Sequence, residues 1–185
     1  MSVPKPDRRP PTFMSVDALR VGVVDDNAYF RRIVRTILVG MGVKQVLEAD
    51  CADTGWTLVS SIRPDILLCD WNLGGQNGGQ LLERIRSSRD DAVATQLFVF
   101  VSAHSDKRHV LLAAKLGAND FIVKPISPRI LYDRIRRLVY GRFTYQRLGG
   151  RLMPIPVTSQ GPVPILAPLD EAVQIPGTQT EVLYL

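Results

Sequence analysis

The chain has 185 residues, 45% of them hydrophobic, with two cysteines and a formal net charge of +5. Such a length and composition support one ordinary core and exclude a disulfide-built scaffold, a collagen-like fibre and a chain too polar to fold. No stretch approaches the roughly 18 apolar residues of a spanning helix, and no apolar segment of signal-peptide type opens the chain, so the sequence predicts a soluble protein of the cytoplasm.

Residues 1–18 begin with four of the 13 prolines in the first 11 positions and read as an extended N-terminal arm. From Leu19 to Val24 runs a short, nearly apolar segment that stops on Asp25 and Asp26. Phe30, Ile33, Val34, Ile37 and Leu38 follow at the spacing of one helix face. A second run, Gln45 to Ala49, leads to a helical piece around Trp56, Leu58, Val59 and Ile62. The third, Ile66 to Cys69, stops on Asp70 and precedes a helix carrying Leu81, Leu82 and Ile85. The fourth, Leu97 to Val101, stops on Ser102 and precedes a helix carrying Val110, Leu111 and Ala114. The fifth, Phe121 to Val123, stops on Lys124, and Leu131, Ile135 and Leu138 mark the last helix.

Runs that are short and continuously apolar read as strands of a parallel sheet covered on both faces. Strict alternation with helices predicts a doubly wound α/β fold, with five strands, five helices and right-handed crossovers. Ligands of such sheets bind beyond the carboxyl ends of the strands, and every polar stop named above lies at a carboxyl end. The domain is predicted to span 19–141. Six of the prolines follow Gly150, so residues 142–185 read as a Pro-rich tail. Its apolar pieces, Val163 to Leu166 and Glu181 to Leu185, either lie along the domain or join a partner's sheet edge.

Residues 143–185 hold two of the 23 basic and three of the 18 acidic residues, which leaves 21 minus 15, or +6, for the rest. Arg31, Arg32 and Arg35, and Arg134, Arg136 and Arg137, fit solvated helix faces, without interleaved aromatic residues, so direct DNA binding is not expected. Cys51 and Cys69 read as unpaired packing residues.

Three carboxylates at one strand edge repel by roughly 4 kcal/mol per pair at 4 Å and an effective dielectric near 20. A divalent cation with oxygen ligands, Mg²⁺ above all, would balance them together with Lys124. Asp26 and Asp70 would bind it directly, Asp25 would hold its waters, and the backbone carbonyl of Asn72 would complete the sphere. Asp70 then suits the role of a nucleophile toward phosphorus, with Ser102 and Lys124 meeting the phosphoryl oxygens. Each residue has an ordinary alternative: the aspartates and Ser102 as helix caps, Lys124 as a surface side chain. Convergence on one edge favours the shared site.

The order Val-Val-Asp25-Asp26-Asn27, Leu-Leu-Cys-Asp70-Trp71-Asn72, Phe-Val-Ser102-Ala103 and Lys124-Pro125 closely resembles the receiver domain of two-component response regulators. The spacings also fit, at 44 residues from Asp26 to Asp70, 32 on to Ser102 and 22 on to Lys124. The resemblance covers Leu19 to Tyr140. It implies a flavodoxin-like (βα)5 fold with strand order 2-1-3-4-5, phosphorylation of Asp70 by a histidine kinase or histidine phosphotransfer protein, and Mg²⁺ held by Asp25, Asp26 and Asp70. It also implies a cis Lys124-Pro125 bond and a switch in which Ser102 moves inward, the Phe121 ring fills the vacated space, and the face of the fourth helix, fifth strand and fifth helix changes shape. Phe121 has a second reading as a plain core residue.

Two features depart from the family pattern. Leu73-Gly74-Gly75-Gln76-Asn77-Gly78 stands where a Met-Pro pair is usual, which predicts a more mobile loop. His104 lies two residues past Ser102, as a surface residue or as an influence on hydrolysis. The tail is too short for a winged-helix or helix-turn-helix domain, so the expectation is a stand-alone, non-enzymatic receiver that signals by docking, with a homodimer left open. The rivals are a phosphorylation-independent scaffold and an aspartate-nucleophile phosphatase. The latter class wants its two acids at alternate positions after the first strand, where Asp25 and Asp26 are adjacent.

Overall fold

The computed structural model describes residues 18–103, 106–158 and 161–162. The N-terminal arm, His104 and the apolar pieces of the tail lie outside the described residues. The element order is β1 (Arg20–Val24), α1 (Ala28–Gly40), β2 (Gln45–Ala49), α2 (Ala52–Thr57, continued by a π-helical turn to Ile62), β3 (Ile66–Asp70), β4 (Asn72–Leu73) and β5 (Gln76–Asn77). Then come α3 (Gly78–Arg86), α4 (Asp91–Ala94), β6 (Leu97–Ser102), α5 (Lys107–Leu116), β7 (Asp120–Val123), α6 (Pro128–Tyr140), β8 (Phe143–Leu148), β9 (Arg151–Thr158) and β10 (Gly161–Pro162).

The main sheet is parallel, in the order β2-β1-β3-β6-β7. This is the 2-1-3-4-5 arrangement, because β6 and β7 are its fourth and fifth strands. Its strands send alternate side chains to two separate cores, which explains why their sequences are apolar at successive positions. Leu67, Cys69, Phe98, Phe100 and Phe121 face one core with Leu81, Leu82 and Ile85 of α3. Ile66, Leu68, Val99, Val101 and Ile122 face the other, with Val34 and Leu38 of α1 and Leu131, Ile135 and Leu138 of α6.

Helix starts follow short polar side chains. Asn27 accepts bonds from the Tyr29 and Phe30 amides at the head of α1, and Asn77, Asp90, Asp106 and Ser127 do the same for α3, α4, α5 and α6. The apolar stripes are narrower than the sequence spacing implies. Ile33 and Leu111 fall at the margin and stay over a third exposed.

Beyond the five helices expected, a single extra turn, α4, leads into β6. Arg86, the last residue of α3, is fully buried there, and no carboxylate among the described residues pairs with it. Its guanidinium donates to the carbonyls of Gly117, Ala94 and Gln96 and to Asn119 Oδ1, at 2.7–2.9 Å. These carbonyls lie at the carboxyl ends of α5 and α4, where helix dipoles favour a cation. Burial lowers its pKa to about 10, so it remains charged at neutral pH.

The first part of the tail forms an antiparallel sheet, ordered β10-β9-β8, with the β8–β9 turn at Gly149 and Gly150. The Val157 amide donates to the Arg142 carbonyl, so odd-numbered residues of β9 turn their N–H groups toward β8. Pro154 and Pro156 fall on the outward side, where no ladder donor is missed. They stand opposite Tyr145 and Phe143. The hairpin lies on the body: Pro154 is buried, Tyr145 Oη donates to the Thr95 carbonyl at 3.0 Å, and Arg151 pairs with Glu83 at 2.9 Å. No helix among the described residues is long and apolar enough to cross a membrane.

Candidate functional site

β1, β3, β6 and β7 end at one edge of the sheet, and their next residues meet there. The Asp25 amide donates to the Ala49 carbonyl and so prolongs the β1–β2 pairing by one residue. This draws Asp25 inward, with only 1% of the residue exposed, while Asp26 faces solvent. Asp70 ends β3, and one oxygen from each of Asp25, Asp26 and Asp70 lies within 4.8 Å of the others. From β7, Lys124 Nζ reaches Asp25 Oδ2 at 2.7 Å and Asp70 Oδ2 at 2.8 Å. Its amide bonds the Ser102 carbonyl at 2.8 Å, and Ser102 itself is buried. The Lys124–Pro125 peptide is cis.

The ordinary alternatives for these residues fail on geometry. Asn27, rather than either aspartate, caps α1, and the Asp25 Oδ1 atom accepts the Asn27 amide at 2.9 Å. Asp106 caps α5, which leaves Ser102 outside that role, and Lys124 is 18% exposed, with its ammonium turned inward. Asn72 opens β4, two residues beyond Asp70, and pairs with Asn77. Phe121 is 6% exposed, with its ring 6.4 Å from that of Phe100.

The loop after Asp70, where glycines stand in place of the usual Met-Pro pair, takes a defined form. β4 and β5 close it as a two-residue hairpin whose turn, Gly74 and Gly75, needs positive φ at both positions. Gly74 also lies against Asp26, where an added Cβ would stand 3.3 Å from the carboxylate. At Gly78 an added Cβ would collide with the Asp70 carbonyl. The glycines therefore set the close approach of this loop to the acidic edge.

The electrostatics reflect a crowded site. Burial raises the Asp25 pKa, outweighing the Lys124 and Asn27 hydrogen bonds that lower it. For Lys124, burial pulls downward but the bonds to Asp25 and Asp70 prevail, and its pKa is raised. Three carboxylates and one ammonium sum to −2, the balance a divalent cation completes. Hard carboxylate oxygens that converge within 4.8 Å, one of them solvent-facing, fit magnesium.

Further contacts were invisible in the sequence. Lys124 Nζ lies 3.9 Å from the centre of the Phe30 ring, a residue the helical spacing marked as core. Arg31, read as surface, donates to the Asp25 carbonyl at 2.6 Å and pairs with Glu48. Trp71 donates its amide to Asp70 Oδ1 and packs against Phe100 and His109. An aromatic residue next to Asp70 was the one available hint.

Comparison with known proteins agrees with this arrangement. Residues 21–136 match the response regulator receiver domain family. The chain is 31% identical over 118 residues to chemotaxis protein CheY1 of Helicobacter pylori, which covers 63% of this chain and 94% of that protein. It is 29% identical over 120 residues to chemotaxis protein CheY of Pseudomonas aeruginosa, covering 65% and 95%. In fold it is similar to the chemotaxis response regulator CheY4 of Vibrio cholerae, with a TM-score of 0.59 and 20% identity over 65% of this chain and 98% of that one. The hairpin lies beyond residues 21–136. The chain belongs to the response regulator receiver domain family and is a phospho-accepting component of two-component signalling.

Proposed function

We propose that Asp70 is the phosphoacceptor, supplied by a histidine kinase or histidine phosphotransfer protein, and that Asp25, Asp26, Asp70 and the Asn72 carbonyl hold Mg²⁺. The observation that carries this reading is the Lys124 ammonium between Asp25 and Asp70, in a group that also includes Asp26. Bound magnesium supplies positive charge to the transferring oxygens. Asp70 attacks phosphorus as the bond to the donor nitrogen breaks, and the Trp71 amide fixes the carboxylate beforehand. Lys124 turns from its carboxylate partners to a phosphoryl oxygen, and the Ser102 hydroxyl donates to another.

In this reading residues 19–141 form the receiver, which carries the phosphoryl group without turning over a substrate. Output passes through the face of α5, β7 and α6, where Ser102 and Phe121 are the switch pair, or through the tail, in the cytoplasm and without contact to DNA or membrane. A homodimer is compatible with this reading. Incubation with acetyl phosphate and Mg²⁺ should add one phosphoryl mass. Asp70→Asn and chelation of the metal should each abolish the gain. A labelled Asp70→Asn protein would sink the assignment.

A further inference from the structure

Phe121 stands between two apolar regions. Toward the interior it packs with Phe100 in the larger core, and toward the outside it meets a groove between α5 and the hairpin. Val110 and Ala113 form one wall of that groove, and Phe143, Pro154 and Pro156 form the other. Its enclosed part has room for about one water molecule, less than a phenyl ring needs, so a ring swung into it would press the hairpin wall away from α5.

The hairpin wall is anchored at the edge of the groove and beyond it. Tyr145 Oη donates to the Thr95 carbonyl and meets Asn119 Nδ2 at 3.3 Å. Arg147 pairs with Asp91 at 3.1 Å and Arg151 with Glu83 at 2.9 Å. Asn119, two residues before Phe121, is itself bonded to buried Arg86, so the anchor and the ring share one stretch of chain. β7 then runs only three residues further to Lys124. One short strand thus joins the acidic edge, the ring and the hairpin.

From this geometry we infer that the hairpin β8–β9 clamps the Phe121 ring inside the core and thereby favours the form of the domain that accepts the phosphoryl group. The clamping wall, Phe143, Pro154 and Pro156, lies beyond residues 21–136 that match the family. Its effect on phosphoryl acceptance rests on the Asp70 reading above. Since coupling between sites is reciprocal, occupancy of the acidic edge must tighten the hairpin by the same factor by which the hairpin strengthens occupancy.

The test uses the full chain labelled with fluorophenylalanine, the resonance of position 121 being assigned with Phe121→Leu. Phe143→Ala and Pro156→Ala each remove part of the wall, and amide protection of Val157 reports whether the hairpin stays formed. Without any ligand, both substitutions should move the resonance of position 121 toward its solvent-exposed value. They should also weaken beryllofluoride binding in Mg²⁺, read from tryptophan fluorescence, by roughly fivefold or more. In the Phe121→Leu background the effect of Phe143→Ala should vanish. A stationary resonance in both wall variants overturns the clamp, as does a loss of affinity that persists without Phe121. Absence of beryllofluoride binding by the unaltered chain, with a resonance that still moves, overturns the Asp70 reading and the effect on acceptance instead.

Discussion

The parallel body and the antiparallel hairpin solve the same problem in different ways. In the body, β3 and β6 lie between two apolar layers, so each strand contributes side chains to both cores and is hydrogen-bonded on both edges. In the hairpin, the inward positions Phe143, Tyr145, Pro154 and Pro156 meet the body, while Thr144, Gln146, Arg147 and Leu148 stay exposed. The body is held by the area it removes from water, the hairpin by one apolar edge and a few polar anchors. An element held in that way can detach without loss of the fold beneath it, which makes it suited to respond to events in the body.

Arg86 joins the two regions and offers the sharpest way to break the contrast. Arg86→Ala leaves the carbonyls of Ala94, Gln96 and Gly117 without their donor and should destabilise the chain by about 3–5 kcal/mol in urea unfolding. An effect below 1 kcal/mol would show that water replaces the guanidinium easily. Arg86→Lys keeps the charge but loses the planar fork and should recover only part of the loss.

Asp25 should give an effect of opposite sign. Its folded pKa is raised above the usual 3.8 by burial, so the ionised form costs stability at neutral pH, and that cost fades as pH falls through the folded value. Asp25→Asn should therefore stabilise the body at neutral pH. The gain should shrink as the pH falls through the folded value and the wild-type carboxyl takes up its proton. Lys124 acts in the other range, because its raised pKa contributes stability below 10.5 that is lost as pH rises through the folded value. Unfolding midpoints across pH for both proteins check the sign, and magnesium binding by Asp25→Asn should be weaker despite its greater stability.

Within the hairpin the effects should be smaller. Tyr145→Phe removes the donor to the Thr95 carbonyl and should cost about 1 kcal/mol, with faster exchange confined to β8 and β9 amides. Global exchange at the same rate would mean that the hairpin is as integral as a body strand. Arg151→Ala breaks a partly exposed pair with Glu83 and should cost about 0.5 kcal/mol or less, measurable as a salt-dependent difference that disappears in high salt.

Legibility followed chemistry of two kinds. Continuous apolar runs alternating with helical spacing sufficed for the parallel sheet, and polar stops at Asp25, Asp26, Asp70, Ser102 and Lys124 sufficed to gather these residues at one edge. The hairpin was harder because proline suggests an irregular tail. Its signals were nevertheless present: Gly149-Gly150 between alternating residues, with Pro154 and Pro156 in step on one face. Placing them required knowing where β9 turns its amides, which depends on pairing rather than composition.

What the sequence by itself determined is the set of strands, their covered faces and the gathering of acids, hydroxyl and ammonium at their carboxyl ends, because local periodicity and strand direction leave few other arrangements. Tertiary structure alone decided that Arg86 lies buried among carbonyls, that the Phe30 ring lies beside Lys124, that Gly74 and Gly78 bring a tight loop against Asp26 and Asp70, and that the hairpin lies along Phe121. Each of these is a contact between segments far apart in the chain, and no residue pattern within one segment encodes the distance to another.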